Sequence, residues 1–171
     1  YIYVALNERY NDEYRISYSE TEITKSLKKI KHEIIRNTLQ FYKINNGMEI
    51  VTIADIPSSG SGLASSSALT VGLVNLLNRY KNKKISKKNM AEQACLIEIN
   101  KCKKPIGMQD QYSTTFGGLN RFEFYNNKVK IKKILLKKKL KKNFNNHLHL
   151  FYTGINRKAS KILLNIKESG K

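Results

Sequence analysis

The chain has 171 residues, enough for one domain with a packed core, and its 40% hydrophobic content is ordinary for a globular protein and excludes a disordered tail. Its formal charge of +19 is nearly all lysine, spread from Lys25 to Lys171 among abundant Asn and Ile; this reads as compositional bias in preference to a dedicated basic patch for a specific nucleic acid. No run reaches the roughly 18 apolar residues of a membrane span and no signal-peptide pattern opens the chain, so a soluble, cytoplasmic protein with no membrane partner is expected.

In residues 1–6, Tyr1, Tyr3 and Ala5 alternate with Ile2, Val4 and Leu6, and a second strand-like run, 14–18, follows the polar turn 7–13. These two are expected to form an antiparallel pair. The chain opens inside a strand, and residues 161–171 read as a helix with no element after it, so structure is expected beyond both ends. Residues 32–42 place Ile34, Ile35, Thr38, Leu39, Phe41 and Tyr42 at helical spacing, and Asn45-Asn46-Gly47 is expected to end that helix. Residues 48–55 follow as a strand with Met48, Ile50 and Thr52 on one side.

The small-residue segment 57–68 then feeds a largely buried helix marked by Leu69, Val71, Leu73, Val74, Leu76 and Leu77. Ser86 is placed to cap another helix running to about Lys101, with Met90, Ala91, Ala94, Cys95, Leu96 and Ile97 on its inner side. Residues 103–115 read as a loop, and 120–125, 128–135 and 148–152 as strands, the first two joined at Asn126-Asn127. The lysine run 137–142 reads as a solvated connection. Cys95 and Cys102 have no partners at zinc-ligand spacing and are expected to be reduced, structural thiols. His147 and His149 alternate on the last strand without a third ligand, which favours an ordinary half-buried strand over a metal site.

The loop from Ser58 to Ser67 has the chemistry of an anion site. Glycines let a polyphosphate approach the main chain, serines offer hydroxyls to phosphate or magnesium, and the following helix presents N–H donors and the positive end of its dipole. No Gly-Lys-Ser/Thr closes the loop, so the Walker pattern is absent. Two carboxylates complete the chemistry of phosphoryl transfer. Glu98 sits on an inner stretch where an unpaired charge would invite a cation; on the pattern alone it also reads as a surface carboxylate paired with Lys101 or Lys104. Asp110 lies in a segment too apolar at its start for a simple solvated turn, and reads either as an acid-base group or as a helix cap.

Pro57-x4-Gly62-Leu63-x-Ser65-Ser66, entered by Ala54-Asp55-Ile56, resembles the ATP-binding motif of the GHMP kinases, the family of galactokinase, homoserine kinase, mevalonate kinase and phosphomevalonate kinase. It has one residue more between Pro57 and Gly62 than the commonest form, and Ala64 replaces the usual Gly or Ser. The resemblance implies that Pro57, Ser59, Gly60, Ser61, Gly62, Leu63, Ala64, Ser65 and Ser66 bind ATP. Gly107-Met108-Gln109-Asp110-Gln111, followed by Phe116-Gly117-Gly118, is similar to the family segment with the catalytic aspartate, and the surroundings of Glu98 to the one with the magnesium-binding glutamate. By the same implication Asp110 is the base or orients the hydroxyl, and Glu98 with Ser66 holds Mg2+.

Three further segments look like the D-glycero-D-manno-heptose 7-phosphate kinase branch: Tyr18-Ser19-x-Thr21-Glu22 ahead of Ile30-Lys31-His32, Ile106-Gly107-x-Gln109-Asp110-Gln111-Tyr112 running into Gly117-Gly118-Leu119-Asn120, and Phe151-Tyr152-Thr153-Gly154-Ile155-x-Arg157. Met108 stands where that branch usually carries Lys. Gln109, Asp110, Gly117 and Arg157 are the implied substrate-binding positions, Arg157 reading equally as a surface cation at a helix start.

The implied fold is α/β in two layers, a mixed sheet with helices on one face. Residues 1–152 would form the N-terminal ATP-binding domain without its opening strands, and 153–171 the start of the passage to a C-terminal domain. The implied activity is transfer of the ATP γ-phosphate to a sugar or sugar-phosphate hydroxyl, with little turnover expected from these residues alone. Two competing readings are a lysine-rich nucleic-acid module using residues 128–142 and a non-catalytic remnant of the same fold.

Overall fold

The computed structural model describes residues 1–55, 62–125, 128–151 and 153. Strands β1 (Ile2–Glu8), β2 (Tyr14–Ser17), β3 (Thr21–Thr24) and β4 (Met48–Ala54) form one mixed sheet in the order β1-β4-β2-β3. β4 runs antiparallel to β1, with Leu6 opposite Ile50, and parallel to β2, with Ile16 opposite Ile50. β1 and β2 therefore do not pair as the sequence suggests, and β3 was not foreseen. Alternation shows which face of a strand is buried but says nothing about its neighbours.

The displaced pairing has a local cause at the start of β4. The turn between β1 and β2 crosses over Gly47, whose carbonyl accepts from Arg9 N–H at 3.0 Å. A Cβ on Gly47 would lie 1.9 Å from the Asn11 carbonyl oxygen, so only glycine admits this crossing. β4 enters beneath the turn and takes the central place.

Helices cover one face of the sheet. α1 (Glu33–Phe41) and α2 (Ser65–Tyr80) bury Ile34, Ile35, Leu39, Leu69, Leu73, Val74 and Leu77 against Tyr14, Ile16, Met48 and Ile50. The opposite face carries the exposed Tyr3, Ile23 and Ile53. α1 closes earlier than Asn45-Asn46-Gly47: Lys43 takes the left-handed conformation at φ 52°, and the N–H groups of Lys43 and Ile44 bond back to Gln40 and Leu39. Burying Ile44 beneath the helix end holds a non-glycine residue in that conformation. Asn78 and Gln93 meet the Tyr42 hydroxyl at 2.6 and 2.5 Å, tying α1, α2 and α3 (Lys87–Cys95) together.

Ser86 caps α3 as expected, its hydroxyl accepting from Asn89 N–H at 3.2 Å. The helix continues as a wider, π-helical stretch, Leu96–Lys101, closed by Cys102 N–H on the Ile97 carbonyl at 2.8 Å. Within residues 103–115, expected to be a loop, α4 (Gln109–Phe116) begins after the apolar entry. Its buried residues are Gln111, Tyr112 and Thr115, and Tyr112 joins the second core formed with α3, β5 (Asn120–Tyr125) and β6 (Lys128–Lys133). β5 and β6 pair antiparallel as expected; Asn126-Asn127 lies outside the described residues.

β6 stops at Lys133, short of the expected residue 135. The lysine run 137–142 is exposed, as a solvated connection would be, but it is helical, in α5 (Lys138–Asn146), because lysine is a good helix former and Leu140 and Phe144 fall on one side of it. Residues 148–151 are not in a strand, and His147 is the C-cap of α5, with Nδ1 2.8 Å from the Asn143 carbonyl. The two cysteines are free and buried, and burial pushes the Cys95 thiol up to about 12 and that of Cys102 up to about 11. No helix among the described residues is long and apolar enough to cross a membrane.

Candidate active site at the start of helix α2

α2 begins inside the small-residue segment, at Ser65. Of the residues implied to bind ATP, Pro57, Ser59, Gly60 and Ser61 lie outside the described residues, while Gly62, Leu63, Ala64, Ser65 and Ser66 are within them. Gly62 has φ +69°, and Ala64, the N-cap residue, sits in the left-handed region at φ 55°, ψ 28°. Holding an alanine there costs about 1–2 kcal/mol, so the turn is imposed on this residue rather than chosen by it. Ala64 provides no side-chain cap to the first turn of the helix. That turn carries Ser66 and Ser67, whose hydroxyls point to a single carboxylate.

The carboxylate is Glu98. It lies in the π-helical stretch with 0% of its side chain exposed, and its ligands saturate both oxygens. Oε2 accepts from Ser67 Oγ at 2.7 Å and from Gln111 Nε2 at 2.6 Å; Oε1 accepts from Ser66 Oγ and faces Lys104 Nζ at 3.3 Å. Lys104 Nζ also donates to Ser66 Oγ at 2.7 Å. The pairing with Lys104 read from the sequence is present, but in the interior instead of on a helix surface. Lys103, left-handed at φ 51°, turns the chain back so that Lys104 N–H bonds the Glu98 carbonyl at 3.1 Å, which returns the ammonium to its own helix.

Asp110 stands in the first turn of α4, beside Gln111. Burial, reinforced by the negative charge of Glu98, raises its carboxyl pKa above the ordinary value. The charge of Glu98 thus reaches Asp110 from the π-helical stretch, through the segment where Gln111 bonds Glu98. Gln109, the first residue of α4, is exposed next to Asp110. Gly117 closes the far end of α4 at φ 59°, roughly 10 Å along the axis from Asp110 by helix geometry, so the structure separates it from the carboxylates. A position with that φ favours glycine for backbone reasons alone. Arg157 lies outside the described residues. Met108 packs with Ala91, Cys95 and Tyr112, an apolar environment that suits it at the entrance to α4.

Ser67, Lys104 and Gln111 were not singled out as site residues, although they make three of the contacts to Glu98. Ser67 was legible in the serine run, Lys104 as a pairing partner of Glu98 and Gln111 as part of the segment around Asp110, but nothing in the sequence shows that all three meet at one carboxylate. His32 is drawn in as well: burial holds its imidazole below the ordinary value, with Lys104 pushing the same way against the pull of Glu22. For a divalent ion the donor chemistry fits. Ser66 and Glu98 present hard oxygen ligands in direct contact with each other. Among the described residues there is no cluster of three or more His, Cys, Asp or Glu that could hold a metal ion.

The chain was compared with known proteins. Residues 22–118 match the family described as the GHMP kinases N terminal domain. D-glycero-alpha-D-manno-heptose 7-phosphate kinase of Campylobacter jejuni is 35% identical over 136 residues, 79% of this chain and 39% of that protein. A crystal structure from Campylobacter jejuni described as a sugar kinase superposes with a TM-score of 0.78 at 27% identity, covering 98% of this chain and 55% of that one. D-glycero-D-manno-heptose 1-phosphate kinase of Bacteroides thetaiotaomicron, at 23% identity and a TM-score of 0.73 over 81% of this chain and 49% of that one, shares the fold. The chain thus spans 39% to 55% of the length of these relatives. With its mixed sheet covered by helices on one face and the family match running through β3, the start of α2 and the end of α4, the chain belongs to the GHMP kinase N-terminal domain family.

Proposed function

We propose that the protein transfers the γ-phosphoryl group of ATP to a hydroxyl of a sugar phosphate of the heptose phosphate class. The first turn of α2, with the segment 57–66 leading into it, binds the polyphosphate; Ser66 and Glu98 hold Mg2+; Asp110 takes the acceptor proton. Support comes from one observation above the others. Buried Glu98 is bonded on one side to Ser66 and Ser67 of the phosphate-binding turn and on the other to Gln111, next to Asp110.

The division of labour follows from the environments. Helix N–H donors and the dipole favour anionic oxygens at the start of α2. Mg2+, when bound, neutralises charge on the polyphosphate. Asp110, whose proton affinity is raised by burial and by Glu98, is a stronger base than a solvated aspartate and takes the hydroxyl proton as the acceptor oxygen becomes nucleophilic. The heptose class is taken from the relatives.

Isothermal titration of ATP into this chain, with and without Mg2+, tests the site. Mg2+-dependent binding that weakens at least tenfold in Glu98→Gln is expected. Binding that ignores both Mg2+ and the Glu98 substitution, or indiscriminate polyanion binding that collapses with salt, would instead support the basic-module reading.

A further inference from the structure

We propose that the Lys104 ammonium is a built-in counter-cation that occupies the Ser66–Glu98 position until a metal arrives already bound to a polyphosphate, so that the site refuses free divalent ions and accepts the metal–nucleotide complex. The inference rests on the reading of Ser66 and Glu98 as the metal site and adds a role for a residue outside that reading.

Three observations carry it. Lys104 Nζ touches the same two groups the metal would use, Ser66 Oγ at 2.7 Å and Glu98 Oε1 at 3.3 Å. Glu98 is fully buried and Lys104 is 27% exposed, so the ammonium can withdraw toward solvent while the carboxylate cannot follow. A buried carboxylate without a cation is strongly disfavoured, which explains why some cation must be present at every stage. The pair is locally neutral. A free divalent ion entering beside the ammonium would leave one carboxylate facing three positive charges at short range, in surroundings that screen them poorly.

The ligand count points the same way. Mg2+ requires near-octahedral oxygen coordination and gives up water reluctantly. The protein provides one carboxylate and one hydroxyl here, with no further cluster of acidic or histidine ligands among the described residues. Phosphate oxygens that arrive with the ion supply the missing ligands and reverse the sign of the incoming charge. They also offer the displaced ammonium a new anionic partner. Lys103, in its left-handed conformation, and the Lys104 N–H bond to the Glu98 carbonyl keep the base of the side chain anchored throughout. Lys104 is therefore a positioning residue, which excludes the bare metal and hands over its place to the loaded nucleotide.

The experiment is a titration of free Mn2+, followed by its paramagnetic resonance signal, into the wild-type chain and into Lys104→Met, first without nucleotide and then with ATP. Without ATP, Lys104→Met is expected to bind Mn2+ at least tenfold more tightly than wild type, and adding Glu98→Gln to Lys104→Met should abolish the gain. Lys104→Gln, which keeps a neutral donor toward Ser66, should show the same gain if Lys104→Met folds poorly, with circular dichroism confirming the fold in each case. Equal Mn2+ affinity in wild type and the folded Lys104 variants overturns the inference, as does a gain that survives Glu98→Gln. The arm with ATP judges the underlying reading separately: failure of wild type to bind Mn2+ together with ATP removes the nucleotide site, whatever the ATP-free arm shows.

Discussion

Replacing Glu98 with alanine probes the centre of the site without any ligand. Ser67 Oγ and Gln111 Nε2 lose their acceptor in the interior, where an unsatisfied donor costs about 1–3 kcal/mol. Lys104 can turn to water and Ser66 is only partly buried, so these two add little. Against the loss of two buried donors' acceptor stands relief from burying a charge, which brings the expected cost to about 3 kcal/mol. At a urea slope of roughly 2 kcal/mol/M the unfolding midpoint should fall by about 1.5 M. Glu98→Gln keeps the volume and one acceptor oxygen and should lose about half as much. Urea titrations followed by far-ultraviolet circular dichroism measure both. A loss below about 1 kcal/mol for Glu98→Ala would mean that the four contacts do not organise the site, and would refute the reasoning.

Asp110 should show the opposite sign. Its folded carboxyl pKa is raised by burial and then by Glu98, so the stability it contributes is complete below its unfolded value and is lost as pH rises through the folded one. Asp110→Asn should therefore melt above wild type near neutral pH, with the gap closing as pH falls to about 3.5; a gap independent of pH would contradict this. Gly47→Ala forces a Cβ to within 1.9 Å of Asn11 O and 2.8 Å of both Glu13 N and O, so the turn or the start of β4 must move. The expected cost is about 2–3 kcal/mol by urea titration, and a loss under about 0.5 kcal/mol would show that the turn yields freely.

Much of the local structure was legible because it depends on neighbours in sequence. The helical spacing in residues 32–42 becomes α1, the alternation of Met48 and Ile50 becomes the inner row of β4, and Ser86 becomes the cap of α3. The site was legible in part for another reason: Gly62, Ser66, Glu98 and Asp110 fall in segments that resemble family motifs. The readings that failed concern choices among partners. The expected β1–β2 pair lost to β4, which competes for the same edges, and the strand expected from residue 148 is absent from residues 148–151, which follow α5.

By itself, the order of residues determined which faces are apolar, that Ser86 caps a helix, and that a small-residue loop precedes a buried helix with two acidic residues downstream. Only the tertiary structure decided that Glu98 is an interior acceptor for Ser66, Ser67 and Gln111, and that Lys104 returns to it by way of a left-handed residue. The reason is physical. Side-chain periodicity depends on positions a few residues apart, whereas the neutralisation of a buried charge depends on whichever groups the packing of α2, the π-helical stretch and α4 brings within hydrogen-bond reach.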